Sequence, residues 1–269
     1  MTSLSLTVEL QQLADDLHLA EVARTPIPTP STTSPALTVD DAYAVQRANI
    51  ARRLKRGERV VGRKVGLTSL AMQQQLGVDS PDFGVITDGM VVEDAGELDL
   101  SQLIAPRVEA ELAFRIGRDL PPSPSREELV AAVDGVAVAL EIIDSRVARW
   151  QISLVDTIAD NASSARIVTG PFRSTTPAEL AALPELVVTL MRDDVEVAAG
   201  PGSAVLGDPI VSLLWLATAI GTYGESFVAG DVVLAGAVAR AVDLIPGSSW
   251  TASATGFDPA SFRTVPGGS

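Results

Sequence analysis

Three carboxylates on two strand-like segments carry the clearest chemical signal in the sequence. Along residues 108–116 every second position is apolar, the period of a half-buried strand. Val108, Ala110, Leu112, Phe114 and Ile116 share one face, which leaves Glu109 and Glu111 together on the other, about 7 Å apart along the strand. A second strand-like run, residues 136–143, is apolar except for Glu141. A lone carboxylate in such surroundings is costly unless it is paired or bound to a cation. Three carboxylates with almost no histidine and no cysteine near them suggest an oxygen-ligand site for a hard divalent metal. The alternative is that Glu109 and Glu111 line the solvated face of an edge strand.

Other residues add to this set. Val60-Val61-Gly62-Arg63-Lys64-Val65 reads as a strand ending at Gly66. Lys64 stands between two glycines in an apolar setting, where small neighbours admit a ligand and an ammonium can bind a carboxylate or shuttle a proton. The competing reading is an exposed strand lysine. Asp82, in the loop at 79–84, reads by itself as an ordinary turn aspartate. After the Glu141 strand, Asp156, Asp160, Asn161, Ser163 and Ser164 form a polar, loop-like cluster able to line a pocket.

Composition narrows the chemistry. The sequence has no cysteine and one histidine, His18, which excludes disulfides, thiolate zinc sites, cysteine nucleophiles, a Ser-His-Asp triad and a multi-histidine metal site. His18 falls in an N-terminal helix and reads as a surface residue. Proton transfer near neutral pH then falls to Lys, Asp, Glu, Tyr or metal-bound water. A net charge of −14 argues against nucleic acid or an anionic membrane as partner. Neither a secretory signal nor a run long enough to span a bilayer is evident, the most apolar helix at 209–220 being too short. The expectation is a soluble cytoplasmic protein.

The elements that must position these residues are legible in outline. The 269 residues suit one large domain, or a core with a smaller N-terminal region. Residues 7–24 form an amphipathic helix with Leu10, Leu13, Leu17 and Val22 turned inward. Prolines at 26, 28, 30 and 35 make the next segment an irregular linker. Thr38 caps a helix over 39–55 whose last turn gathers Arg52, Arg53, Lys55 and Arg56, as the helix dipole favours. A short helix follows at 69–76, ending at Gly77. Residues 85–93 form a strand pair or turn, and Ser125 with Glu128 caps a helix running to about residue 134. A hairpin over 186–199 turns at Asp193-Asp194. Asp208-Pro209 opens a helix to about 223 whose Leu213, Leu214, Trp215 and Leu216 are core. Short strands follow at 231–234, 237–244 and 248–254. No repeat and no phosphate-binding glycine motif is present.

Taken together, the motifs Val60-Val61-Gly62-Arg63-Lys64-Val65-Gly66-Leu67-Thr68, Gln75-Leu76-Gly77-Val78, Pro81-Asp82-Phe83-Gly84, Pro106-Arg107-Val108-Glu109-Ala110-Glu111, Glu141 with Ser145-Arg146, and Val155-Asp156-Thr157-Ile158-Ala159-Asp160-Asn161-Ala162-Ser163 resemble the 2-keto-4-pentenoate hydratase family, within the fumarylacetoacetate hydrolase superfamily. Weaker similarity continues through Leu206-Gly207-Asp208-Pro209 and residues 230–237, so the resemblance spans roughly residues 39 to 256. It implies an α+β fold: a mixed β-roll or barrel over residues 61–269, with a helical, proline-linked region over 1–60. It implies that Glu109, Glu111 and Glu141 bind Mg²⁺ or Mn²⁺, that Lys64 and Asp82 are the active-site lysine and aspartate, and that Ser163 is a pocket serine. Where the family usually has Gly-His-Pro, this chain has Gly207-Asp208-Pro209; Asp serves as a helix N-cap equally well.

The implied reaction is metal-dependent addition of water to a 2-hydroxy-2,4-dienoate, pentadienoate or hexadienoate, in aromatic meta-cleavage or steroid-ring catabolism. Lys64 would contact the carboxylate–keto end of the substrate. Asp82 would orient or deprotonate water, or move a proton in isomerisation. A 4-oxalocrotonate-type decarboxylase shares the metal carboxylates, but its pattern lacks the aspartate of the 81–84 loop. Hydrolytic C–C cleavage usually needs a His–Glu pair that a chain with His18 alone is poorly equipped to supply. A non-catalytic keto-acid-binding partner subunit is the alternative from another class. The resemblance further implies a homo-oligomer, with association to a downstream aldolase or decarboxylase.

Overall fold

The computed structural model describes residues 6–69, 73, 78 and 80–266; the helix expected at 69–76 lies, apart from residues 69 and 73, outside the described residues. Two β-sheets pack face to face, with helices closing one side. The first is seven-stranded: β1 (Val60–Gly66), β2 (Asp82–Thr87), β4 (Arg107–Ile116), β5 (Val133–Ile143), β6 (Ser164–Thr169), β9 (Val232–Leu234) and β10 (Val242–Asp243). Its order is β2-β1-β9-β4-β5-β6, with β10 on the free stretch of β4. The second is five-stranded: β3 (Gly96–Asp99), β7 (Val187–Arg192), β8 (Val195–Pro201), β11 (Ser249–Ala254) and β12 (Ala260–Val265), ordered β3-β12-β11-β7-β8. β1 pairs parallel with β9 and β12 parallel with β3, while the other pairs are antiparallel, so both sheets are mixed.

Strand periodicity decides which way each face looks. On β4, Val108, Ala110, Leu112 and Phe114 pack, with Val136, Val138, Leu140 and Ile142 of β5, against Leu190, Trp250, Ala252 and Phe262 of the second sheet. The opposite face of β4 and β5 lines the hollow of the curled first sheet. Its floor is a separate apolar cluster of Ile86, Met90, Ala113, Ala139, Ile167 and Leu234. Both faces are covered, which is why β5 reads as an almost unbroken apolar run.

Helices α1 (Val8–Ala23) and α3 (Val39–Lys55) pack on one another, and α3 also lies against α5 (Leu154–Ala159). Thr38 and Asp41 form a reciprocal capping box at the start of α3. The basic last turn is structural, as expected: Arg52 pairs with Asp15, and Arg53 with Glu21 and Glu58. Ala14, Leu17, Tyr43 and Val45 belong to the same apolar core as β4 and β5. Helix α7 (Pro209–Gly221) starts at Asp208, whose carboxylate accepts from Ile210 N at 2.8 Å and pairs with Arg126. The stretch Gly202–Gly221 is apolar enough to cross a membrane by composition, but Ile210, Leu213, Leu216 and Ile220 are buried in the core.

Several sequence expectations need correction. Val22 is 58% exposed rather than turned inward. The proline-rich linker contains a one-turn helix, α2 (Pro30–Thr33), with Pro30 at its first position, where its missing N–H costs nothing. Just before it, Ile27 bridges Val147 through two backbone hydrogen bonds of 2.9 Å. The helix capped by Ser125 is only Arg126–Val130 (α4), and Asp134 already belongs to β5. β12 is a strand that the sequence reading did not identify. The hairpin of β7 and β8 turns where expected, with Asp193 and Asp194 both at positive φ.

Candidate metal and active site

Pairing register brings the three glutamates together. β4 and β5 are antiparallel with Glu109 directly opposite Glu141, and Glu111 opposite Ala139. Opposed residues point to the same side of a sheet, so all three carboxylates enter the hollow above the apolar floor. Each contributes an oxygen to a group lying within 4.8 Å of one another. Glu111 and Glu141 are fully buried and Glu109 is half-buried, which rules out a solvated edge. Glu111 Oε2 accepts from Gly236 N at 2.8 Å. That glycine has φ +118°, and a Cβ there would lie 2.4 Å from Thr68 Oγ1, so the turn after β9 can aim its N–H at the carboxylate only without a side chain.

Lys64, on β1, is buried and points into the same hollow, its Nζ 3.3 Å from Glu141 Oε2. Asp82 is no turn residue. It is the first residue of β2, buried, and paired with Gly66 across β1. Thr157 Oγ1 donates to Asp82 Oδ2 at 3.1 Å. The glycines flanking Lys64 differ from expectation. A Cβ at Gly62 would lie 1.8 Å from Val232 O, so that glycine admits the backbone of β9 rather than a ligand. A Cβ at Gly66 would lie 2.2 Å from Asp82 Oδ1 and 3.6 Å from Lys64 Nζ, so this one makes room for the aspartate beside the lysine.

The electrostatics call for a cation. Burial, reinforced by the charge of Glu141, pushes Glu109 up to about 7. Glu111 is driven well above the usual carboxylate range by burial, then by Glu141 and Glu109. Burial also raises Asp82. Burial alone would lower Lys64, but Glu141, Asp82, Glu109 and Glu111 hold its ammonium well above the ordinary lysine value. Glu111 Oε1, both oxygens of Glu141 and Asp82 Oδ1 have no hydrogen-bond partner among the described residues. Four carboxylates act on one ammonium, an acidic excess that a cation would offset, and all-oxygen donors are what a hard cation takes. The residues fit such an ion.

Ser163 lies nearby in sequence order but is held differently. Asn161, Ala162 and Ser163 form a left-handed run with φ of 57°, 51° and 55°. The Asn161 side chain grips both the N–H and C=O of Val85 on β2, at 2.8 and 2.9 Å. Gly84 leaves space for this turn, since a Cβ there would meet Asn161 O at 2.6 Å. Ser163 is buried with its Oγ unbonded among the described residues, so it offers a free hydroxyl but touches none of the other five residues by hydrogen bond.

The cluster expected to be a loop is instead α5, a 3-10 turn and the start of β6. Asp156 anchors rather than lines a pocket: its carboxylate takes the N–H and hydroxyl of both Ser31 and Ser153. Asp160 pairs with the buried guanidinium of Arg146 and accepts Arg146 N at 3.0 Å. Sequence reasoning gave no role to Thr157, Gly236 or the Arg146–Asp160 pair. Only the last left a trace, Asp160 within the polar cluster after β5 and Arg146 within the Ser145-Arg146 motif. His18 is half-buried beside Glu21 and Arg53, on a small cavity of about 30 Å³ that also reaches Arg146 and Asp160, apart from the glutamates.

Residues 69–263 match the fumarylacetoacetate (FAA) hydrolase C-terminal family. The chain is 45% identical over 240 residues to 2-keto-4-pentenoate hydratase of Paraburkholderia xenovorans (strain LB400), covering 88% of each. It is 41% identical over 216 residues to 2-hydroxyhexa-2,4-dienoate hydratase of Comamonas testosteroni, covering 79% of this chain and 81% of that one. Among solved structures, 4-oxalocrotonate decarboxylase from Pseudomonas putida G7, complexed with magnesium and adipate, superposes with a TM-score of 0.90 at 35% identity, over 97% of this chain and 99% of that one.

Proposed function

The chain belongs to the fumarylacetoacetate hydrolase family, and from that premise we propose that it is a metal-dependent hydratase adding water to a 2-hydroxy-2,4-dienoate. The observation that carries this reading is the trio Glu109, Glu111 and Glu141, the last two buried with unbonded oxygens, facing Lys64 and Asp82, in a chain similar to hydratases of such dienoates.

Glu109, Glu111 and Glu141 would hold a divalent ion, Mg²⁺ or Mn²⁺. When bound, the ion supplies Lewis acidity toward the substrate's keto oxygen and the charge that develops there. Lys64 binds the carboxylate–keto end and keeps it against the glutamates. The dienol O–H proton leaves and a proton is placed on C5, giving a 2-oxo-3-enoate whose carbonyl is conjugated with the alkene. Water then adds its oxygen at C4 while C3 takes a proton, giving a 4-hydroxy-2-oxo acid. Lys64 and Asp82 share these transfers; Asp82 Oδ1 has free lone pairs for a proton or a water. Ser163 offers its free hydroxyl to the substrate. The same reading carries a cytoplasmic homo-oligomer working beside an aldolase or decarboxylase that handles neighbouring intermediates.

A second reading, decarboxylation of a 4-oxalocrotonate-type 2-oxo acid, draws support from the similarity to the decarboxylase structure. It uses the same glutamates but requires no base for water, and so leaves the open oxygen of Asp82 without a task. A steady-state assay with freshly generated 2-hydroxypenta-2,4-dienoate, with Mg²⁺ and with EDTA, separates the two. Metal-dependent formation of 4-hydroxy-2-oxopentanoate is expected. Release of CO₂ from 4-oxalocrotonate without hydration of the dienoate would transfer the reading to decarboxylation.

A further inference from the structure

We infer that Thr157 is the positioning residue of the hydration step: by donating its hydroxyl hydrogen to Asp82 Oδ2, it leaves Oδ1 as the one open carboxylate oxygen, turned toward Lys64. The inference rests on the hydratase reading and names a residue which that reading does not use. Three observations carry it. First, the contact is direct: Thr157 and Asp82 are both buried, and Oγ1 lies 3.1 Å from Oδ2. A hydroxyl donor to a buried carboxylate orients it more firmly than the same bond would in water, because the low local dielectric strengthens it. Second, the other oxygen has its own vacant place. Asp82 Oδ1 and Lys64 Nζ both lie within 4 Å of the point where a Cβ at residue 66 would stand, and residue 66 is glycine. Thr157 on one side and the missing side chain of Gly66 on the other leave one orientation for the carboxylate.

Third, the helix that presents Thr157 is fastened at both ends. At its start, Ser153 and Asp156 form a capping box, and Asp156 also binds Ser31 of the N-terminal region. At its end, Asp160 is clamped by Arg146 through backbone and guanidinium. Buried polar networks of this kind hold a group to the tolerance that proton transfer needs. The cost of building such a support is justified where the supported carboxylate acts on a proton.

The test uses the full chain loaded with Mg²⁺ and compares Thr157→Val, which keeps the shape but removes the donor, with Thr157→Ser, which keeps the donor. Thr157→Val is expected to lower kcat for the dienoate about 10- to 100-fold, a part of the roughly 10²- to 10⁴-fold that general acid–base catalysis contributes, with KM and Mg²⁺ affinity within about threefold of the parent, a split that points to a step after binding. Thr157→Ser is expected to restore kcat to within about threefold, a margin set against the same 10- to 100-fold loss. In an Asp82→Asn background, Thr157→Val is expected to cost nothing further, because a residue acting through another loses its effect when that other is gone. An unchanged kcat in Thr157→Val, a parallel loss in both variants, or a full additional loss in the Asp82→Asn background would overturn the inference. If Thr157→Val does not fold, the same comparison is read on Thr157→Ala. Failure of the parent chain to hydrate the dienoate would instead sink the hydratase reading on which this rests.

Discussion

Two buried acidic clusters lie in this fold, and they are built on opposite principles. At Asp160 the charge is closed: Arg146 faces it, its N–H and guanidinium donate to it, and the guanidinium also donates to Asp144 O at 2.5 Å. At Glu109, Glu111 and Glu141 the charge is open, with several buried oxygens unbonded among the described residues and one lysine against three carboxylates. Glu111 and Glu141 are as buried as Asp160, so burial alone does not distinguish a structural ion pair from a site. The unspent acceptor capacity does, and it is the capacity that the proposed divalent ion would fill.

The comparison breaks most visibly under substitution. Glu141→Gln or Glu111→Gln should lower kcat/KM for the dienoate by about 10³-fold, the scale of losing preorganised stabilisation of developing charge. In EDTA at pH 8 the same variants should be at least as thermostable as the parent chain, since a repelling buried charge is gone. Asp160→Asn should do the reverse in kind. It leaves the Arg146 guanidinium buried and underpaired and should cost about 3–5 kcal/mol in denaturant unfolding, with or without metal. Equal loss of stability in both sets of variants would erase the distinction.

A smaller effect sharpens it through pH. In the metal-free fold Glu109 holds its proton up to about 7 and burial likewise drives Glu111 well above the usual carboxylate range, whereas in the unfolded chain glutamates release theirs near 4.3. The folded chain therefore binds more protons across this window, and metal-free stability falls as pH rises from about 4.5 through 7. A bound ion takes the place of those protons. The difference in Tm between Mg²⁺-loaded and EDTA-treated protein should thus widen from pH 5.5 to pH 8, read by calorimetry. A gap that stays constant or narrows would mean that these carboxylates are not the ones the ion holds. The smallest effect lies far from either cluster: Asp208→Ala removes a helix cap and a surface ion pair and should cost about 1 kcal/mol while leaving dienoate turnover unchanged.

Much of the open cluster was legible in the sequence and little of the closed one. The alternation through 108–116 placed Glu109 and Glu111 on one face because a strand's period is two and the other face is packed. Glu141 stood out as the one charge in an apolar run. What the pattern lacked was register: that Glu109 stands opposite Glu141 follows from how β4 and β5 slide past one another, which no local spacing encodes. Asp82 read as a turn because it follows Pro81 and precedes a fully buried strand with no alternation to mark it. The polar composition of 150–165 hid α5, although Ser153 and Asp156 are spaced as a capping box. Gly62 and Gly66 looked alike in sequence, yet one accommodates a neighbouring strand and the other a carboxylate. β12, short and alternating polar with apolar after the Gly256 turn, gave too weak a signal by itself.

The most direct test of the open cluster is a Mn²⁺ titration of the full chain at pH 8, followed by electron paramagnetic resonance, in the parent and in Glu141→Gln. One tightly held ion per chain in the parent, and its loss in the variant, is the result this account predicts. An ion retained at full affinity by Glu141→Gln, or none bound by the parent, would contradict it.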